Sequence, residues 1–251
     1  MKLEHVLAAR PTKTIYRDGD LAIKLFQEGY SAADVLNEAL NHEIVYEAGV
    51  RVPRLDAVTK IDGRWAIVLA FVEGQTLTQR IEEAPDKAEA YLAQMVDIQL
   101  EIHRFTAERL RHHTDKMHAK IRKSGLDATT RYELHTRLDG LPRHSKLCHG
   151  DFTPGNVILT SSGNPYVIDW SHATQGNASA DAARTYLRFK LAGPRYDAYA
   201  ETYLDLFCQK SDTARQYVQK WLAIVAASQL VKGNPEERAL LLSWVSVVEY
   251  E

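Results

Sequence analysis

Between Cys148 and Asp169 the chain reads Cys-His-Gly-Asp-Phe-Thr-Pro-Gly-Asn-Val-Ile-Leu-Thr-Ser-Ser-Gly-Asn-Pro-Tyr-Val-Ile-Asp, and three of its side chains are suited to chemistry: Asp151, Asn156 and Asp169. Two apolar β-type runs, 157–160 and 166–168, flank a Ser-Ser-Gly-Asn-Pro break, which predicts a hairpin. The strands of a hairpin are antiparallel, so both open ends lie on the same side. Asn156 stands just before the first strand and Asp169 just after the second. The hairpin therefore brings an amide oxygen and a carboxylate together, where hard oxygen ligands can hold a divalent cation. Asp151 precedes Asn156 by five residues on a loop broken by Pro154 and Gly155. That loop can aim a second carboxylate at a substrate hydroxyl in front of the metal.

These types at this spacing match the parts needed for phosphoryl transfer, where one Asp accepts the substrate proton and a following Asn and a later Asp hold metal ions. The segment resembles the catalytic segment of the aminoglycoside phosphotransferase and choline kinase-like family. His149-Gly150-Asp151 stands where protein kinases carry His-Arg-Asp, and Ile168-Asp169-Trp170 where they carry Asp-Phe-Gly.

Composition sets few obstacles to this reading. The 251 residues allow one large domain or two lobes, and the 45% hydrophobic and 25% charged fractions are ordinary for a globular protein. A net charge of −2 gives no electrostatic reason to expect nucleic acid or an anionic membrane as a partner. Two cysteines make no disulfide framework, the start carries no apolar run after its charges, and no stretch approaches the ~20 apolar residues of a membrane span. The expectation is a cytoplasmic protein.

The elements that must position the three residues follow from pattern. Segments 3–8 and 13–17 read as strands, and Asp18-Gly19 as a tight turn before a third strand, Leu21–Phe26. Lys24 lies inside that apolar run, which is costly without an anionic partner. A helix follows from the cap Ser31 to about Ala48, stopped by Gly49. Glu38 and Glu43 on it are both candidates to meet Lys24. Segments 54–58 and 65–71 read as strands around Asp62-Gly63. Strands followed by a helical remainder give an α+β fold.

The resemblance implies a bilobal protein-kinase-like fold, with an N-terminal nucleotide-binding lobe (1–73) and a helical lobe (74–251) carrying the catalytic loop and acceptor pocket. It implies that Lys24, paired with Glu38 in preference to Glu43, grips the α- and β-phosphates of ATP. The main chain of Ala70, Phe71 and Val72 would meet the adenine, Asn156 and Asp169 would hold Mg²⁺, and Asp151 would be catalytic. Asp181 at a helix start would brace the catalytic loop. The implied activity is γ-phosphoryl transfer from Mg-ATP to a hydroxyl of a small molecule of the amino alcohol, sugar or aminoglycoside class. A nucleotide-binding regulatory protein without transfer activity is the alternative, and the presence of all five catalytic positions argues against it.

Other features are less pointed. No glycine lies in 9–14, where the protein-kinase template has its Gly-rich loop, so Thr12, Lys13 and Thr14 are left as substitutes. Residues 76–141 read as helical, with Ala88–Ile102 ending at a structural His103. The stretch 104–123 holds seven Lys and Arg with three histidines interleaved. One reading is an anion-binding surface; alternation with Glu108, Asp115 and apolar positions points to a solvated helix face. Helices after 182 would wall the acceptor pocket, leaving Asp197, Glu201 and Asp205 as candidates for a cationic substrate.

Overall fold

The structure is a computed structural model that describes residues 3–246. Met1 and Lys2, which open the charged start, and 247–251, the end of the last expected helix, lie outside the described residues. In chain order the elements are β1 His5–Arg10, β2 Lys13–Asp18, β3 Leu21–Phe26, α1 Ala32–Glu47, β4 Leu55–Ile61, β5 Arg64–Ala70, β6 Gln75–Thr76 and α2 Leu77–Glu83. Next come α3 Ala88–Ile102, α4 His113–Arg122, α5 Ala128–Asp139, β7 Lys146–Cys148, β8 Val157–Leu159, β9 Pro165–Val167 and β10 Thr174–Gly176. The last are α6 Ala178–Leu191, α7 Asp197–Ser211, α8 Arg215–Gln219, α9 Leu222–Leu230 and α10 Pro235–Val245. This is the expected α+β class. No helix among the described residues is long and apolar enough to cross a membrane.

The chain forms two compact units, Met1–Glu83 with Pro154–His172, and Ala84–Thr153 with Ala173–Glu251. A division at 73/74 follows the change from strands to helices. By contacts the first unit runs on to Glu83 and takes in the hairpin β8–β9 as well.

In the first unit an antiparallel sheet runs in the order β1-β2-β3-β5-β4. The two-residue period of β3 decides which side chains face α1. Ile23 and Leu25 pack with Ala66 and Val68 on one face, while Phe26 packs with Val35 and Ala39 of α1 on the other. Lys24 alternates with Ile23 and Leu25 and so falls on the α1 side. Ser31 caps α1, its hydroxyl accepting from the Asp34 N–H at 3.3 Å, and the helix ends at Ala48 with Gly49 at φ +93°. Residues Asp62 and Gly63, at φ +49° and +78°, form the tight connection of β4 to β5. The expected Asp18-Gly19 turn is shifted by one. Asp18 pairs with Leu21, so Gly19 (φ +59°) and Asp20 are the turn residues.

The second unit is helical, with β7 and β10 paired antiparallel. The helix α3 spans Ala88–Ile102 and is capped by His103, and the chain after 182 breaks near 193, 211 and 233, all as expected. The stretch 104–123 departs from a solvated helix: His113, Thr114, Met117 and Ile121 of α4 are buried. Gly176 allows this, because a Cβ there would collide with the Cβ of His113.

Burial, reinforced by the charge of Lys116, lowers the His113 pKa from 6.5 to about 3. Because the folded value lies below the unfolded one, the unfolded chain binds the extra proton between these limits, and stability falls as pH drops below about 6.5. We expect a loss of about 2 kcal/mol from this residue between pH 7 and pH 5. Urea titrations of wild type and His113→Gln would show it as a weaker pH dependence in the variant; equal dependence would contradict the role.

Candidate active site

The residues singled out by the sequence fall into two groups, one in each unit. In the first unit Lys24, 8% exposed, is ion-paired with Glu38, 7% exposed, and its Nζ also donates to Asp169 Oδ1 at 2.9 Å. Of the two candidate glutamates, the one in contact is Glu38. A helix places Glu38 beside Val35 and Ala39, on the face packed against the sheet. Burial alone would lower the pKa of Lys24, but the charges of Asp169 and Glu38 outweigh it and raise it above the ordinary lysine value.

The hairpin β8–β9 forms with Val157 opposite Val167 and Leu159 opposite Pro165, and Gly163 takes φ +81° in its turn. At the open end the Ile168 N–H donates to the Asn156 carbonyl at 2.9 Å, which sets Asn156 and Asp169 side by side as the sequence predicts. Asp169 sits at φ +66°, a left-handed conformation that Asp tolerates better than most residues. Its Oδ1 accepts from Lys24 and from the Ser171 hydroxyl (3.1 Å), and its Oδ2 accepts from Lys13 Nζ at 3.0 Å. Burial opposes the charge on this carboxylate, but Lys24 and Lys13 win and hold it well below the usual carboxylate range. The carboxylate of Asp169 and the side-chain oxygen of the adjacent Asn156 are hard donors of the kind that fits Mg²⁺, which would meet Lys13 and Lys24 at the same carboxylate.

Lys13 enters from an unexpected direction. With Arg10 paired to Lys13, the segment between β1 and β2 is a two-residue turn, Pro11-Thr12, with no room for a long phosphate-covering loop. What this hairpin contributes to the site is the Lys13 ammonium, whereas the sequence points to the main-chain amides and hydroxyls of 12–14. The signal that marks this cation is a second lysine at the head of the strand adjacent to the one bearing Lys24.

At 70–72 the chain leaves β5. The Ala70 N–H donates to the Arg54 carbonyl at 2.9 Å and the Phe71 N–H to the Asp20 carbonyl at 2.7 Å, so both donors are committed within the sheet. The Arg17 guanidinium lies 3.9 Å from the Phe71 ring centre.

In the second unit Asp151 follows β7 and Gly150 (φ +78°). Its Oδ1 lies 3.1 Å from Arg188 Nε and 3.9 Å from Arg184 Nη2, both on α6. The loop that carries it is held by Asp181, 2% exposed, in the first turn of α6. Oδ1 of Asp181 accepts the Gly150 N–H at 2.7 Å, and Oδ2 accepts the His149 N–H (3.3 Å), Gln99 Nε2 (3.1 Å) and His103 Nε2 (3.0 Å). His103, Cys148 and Asp181 offer ligand atoms within 4.8 Å of one another. Asp181 already accepts four hydrogen bonds there, from the Gly150 and His149 amides, Gln99 and His103, and a bracing carboxylate accounts for the cluster. Trp170, fully buried in the first unit, donates its indole N–H to the Val167 carbonyl at 3.0 Å and is packing.

Two sets of charged residues have neighbours that the sequence does not show. Asp197 and Glu201 are paired with Lys190, at 3.2 Å and 2.8 Å, and Arg215 bridges Glu201 and Asp205. Two cations of the chain thus share these three acids. Lys116 and Lys120 of α4, expected on a solvated face, are instead half-buried and within the field of Arg184 and Asp151.

An antiparallel sheet with one packed helix, a lysine–glutamate pair, and a hairpin presenting Asn and Asp together define a kinase-like fold. The chain belongs to the phosphotransferase enzyme family (APH), whose sequence profile matches residues 12–217. No curated protein matches it in sequence. Among solved structures it is similar to a choline/ethanolamine kinase family protein from Mesorhizobium loti, with TM-score 0.64 and 17% identity over 98% of this chain and 84% of that one. It is also similar to the aminoglycoside phosphotransferase APH(4)-Ia, with TM-score 0.69 and 16% identity over 96% and 90% of the two chains. The choline kinase LicA from Streptococcus pneumoniae matches with TM-score 0.64 and 15% identity over 97% and 95%.

Proposed function

We propose that the protein transfers the γ-phosphoryl group of Mg-ATP to a hydroxyl of a small molecule. The observation that carries this reading is the Lys24–Glu38–Asp169 constellation: a buried ammonium held between two carboxylates at the mouth of an Asn/Asp hairpin. A structural relative crystallised as a ternary complex with AMP-PNP and hygromycin B supports the nucleotide. Lys24 binds the α- and β-phosphates, and Lys13 adds a second positive charge from the first residue of β2. With the N–H groups of Ala70 and Phe71 committed, the main-chain donor to an adenine falls to Val72, and the carbonyls of all three remain acceptors.

Asn156 and Asp169 would hold Mg²⁺, which when bound neutralises charge on the phosphate oxygens. Asp151 orients the acceptor hydroxyl and takes its proton on a carboxylate oxygen. The transition state is loose, so positioning and electrostatics matter more than a strong base. Asp181 keeps the loop carrying Asp151 in place through the His149 and Gly150 amides.

Glu38→Gln removes one of the two carboxylates that hold Lys24. We expect the KM for ATP to rise about tenfold, roughly 1.4 kcal/mol, with kcat less affected. Glu43→Gln should leave both constants alone, and equal effects of the two changes would sink the pairing. The reading as a whole is tested by coupled ADP release with Mg-ATP against a panel of alcohols. Absence of both turnover and stabilisation by Mg-AMP-PNP would overturn it.

A further inference from the structure

Positive charge gathers around Asp151 well beyond what one carboxylate requires. Lys116 and Lys120 are one turn apart on α4, and Arg184 and Arg188 are one turn apart on α6. Such i,i+4 like-charge pairs are destabilising by themselves. Lys232, after α9, joins them: it feels the fields of Arg184, Arg188 and Asp151. Five cations thus share the field of Asp151, with Glu237 acting on Arg184 and Lys232 and Asp181 on Arg184.

Arg184 is the most telling of the five. It is 6% exposed, yet its Nε and Nη1 have no hydrogen-bond partner among the described residues. Unpaired buried guanidinium N–H groups are costly, and such groups are usually satisfied by something. Burial, then the positive neighbours Lys120 and Arg184, bring the Lys116 pKa down to about 7; burial and Arg184 bring Lys120 down to about 8. A site that strains its own lysines in this way is arranged for an anion, and the planar fork of arginine suits carboxylate or phosphate.

A rival lies in a cavity of about 500 Å³ lined by Lys190, Asp197, Glu236, Glu237 and Trp244, whose acids could attract a cation. Asp197 is paired with Lys190, and Glu237 lies in the field of Arg184 and Lys232, so two of its three acids already face cations of the chain itself.

We propose that Arg184, Lys120 and Lys116 form an anion-binding site, and that the acceptor served by Asp151 carries a carboxylate or phosphate a few bonds from its hydroxyl. The acceptor half of this statement rests on the phosphotransferase reading of Asp151; the anion site itself does not.

The test uses the full chain. Coupled ADP release would compare D-glycerate and a hexose 6-phosphate with glycerol, the free hexose, choline and an aminoglycoside. At least one acidic alcohol should exceed its neutral counterpart by about 100-fold or more in kcat/KM, since a site built for a charged group rejects the analogue lacking it. Which one does so separates carboxylate from phosphate. Its KM should rise with salt. Arg184→Met should remove most of the preference through KM. Because Arg184 is buried and the variant could unfold, half-buried Lys120→Met provides a second arm, with a loss of about tenfold. Preference for choline, the aminoglycoside or the neutral alcohols, or an acid preference unchanged in both variants, would overturn the proposal.

A separate arm needs no nucleotide. Low-millimolar sulfate, against a chloride control, should raise the Tm of wild type more than that of Lys120→Met. Equal shifts would overturn the anion site. Failure of Mg-AMP-PNP to raise the Tm would strike the kinase reading, while the sulfate arm would still decide the anion site.

Discussion

Asp151→Asn is expected to lower kcat by about 10³-fold or more, with Mg-ATP affinity within about threefold of wild type. Asparagine has nearly the same shape but cannot accept the hydroxyl proton, and it places no negative charge near the attacking oxygen. The same change removes the counter-charge of Arg188, 3.1 Å away, and of Arg184, 3.9 Å away. Both arginines belong to α6 of the second unit, whereas Lys24, Glu38 and Asp169 belong to the first. Rapid-quench measurement of the chemical step, beside isothermal titration with Mg-AMP-PNP, separates the two effects. A variant that binds nucleotide poorly would show that Asp151 supports the nucleotide site, and one that turns over normally would remove it from the mechanism.

The largest expected loss of stability follows from Asp181→Ala, about 3–5 kcal/mol. This carboxylate is fully enclosed and accepts four hydrogen bonds, two from the backbone of the loop leading to Asp151 and two from Gln99 and His103 of α3 and its cap. Removing it leaves those donors buried without an acceptor. Gln99 is further tied to the hydroxyl of buried Tyr203, so the disturbance reaches α7. Burial by itself would raise the Asp181 pKa; the hydrogen bond and charge of His103, with His149 and the Gly150 amide, hold it well below the carboxylate range. A depressed carboxyl contributes stability above its unfolded pKa of about 4 and loses it as pH falls further. Chemical denaturation of wild type and variant at pH 7 and at about pH 2.5, inside the window below the unfolded pKa, reads both terms. The variant should show a smaller loss between the two pH values. A destabilisation under about 1 kcal/mol would contradict the bracing role.

Features that depend on short stretches of chain are legible in the amino-acid sequence. Ser31, Asp34 and Gly49 bound α1 because a helix needs its terminal amides capped and a positive φ at its end, and those demands are met within a few residues. The Asn156–Asp169 juxtaposition is legible for a similar reason: a hairpin's connectivity alone sets its open ends together. Lys24 can be recognised as needing a partner because an ammonium in an apolar strand is expensive wherever that strand goes. The family segment adds the choice of Glu38 over Glu43, which period alone leaves open.

Charge compensation, in contrast, was decided by the tertiary structure. Lys13 reaches Asp169 across 156 residues of sequence, and Lys116 and Arg184, 68 residues apart, share one field around Asp151. A lysine on an amphipathic helix reads the same whether it faces water or a buried arginine, and an acid on α7 reads the same whether it is open or paired with Lys190. The sequence by itself determined that the candidate oxygens of Asn156 and Asp169 lie at one end of a hairpin, because backbone connectivity and hydrogen bonding are local. Which charges surround them was settled by packing, because Coulomb energy depends on distance through space and on burial, and neither is encoded in any short window of residues.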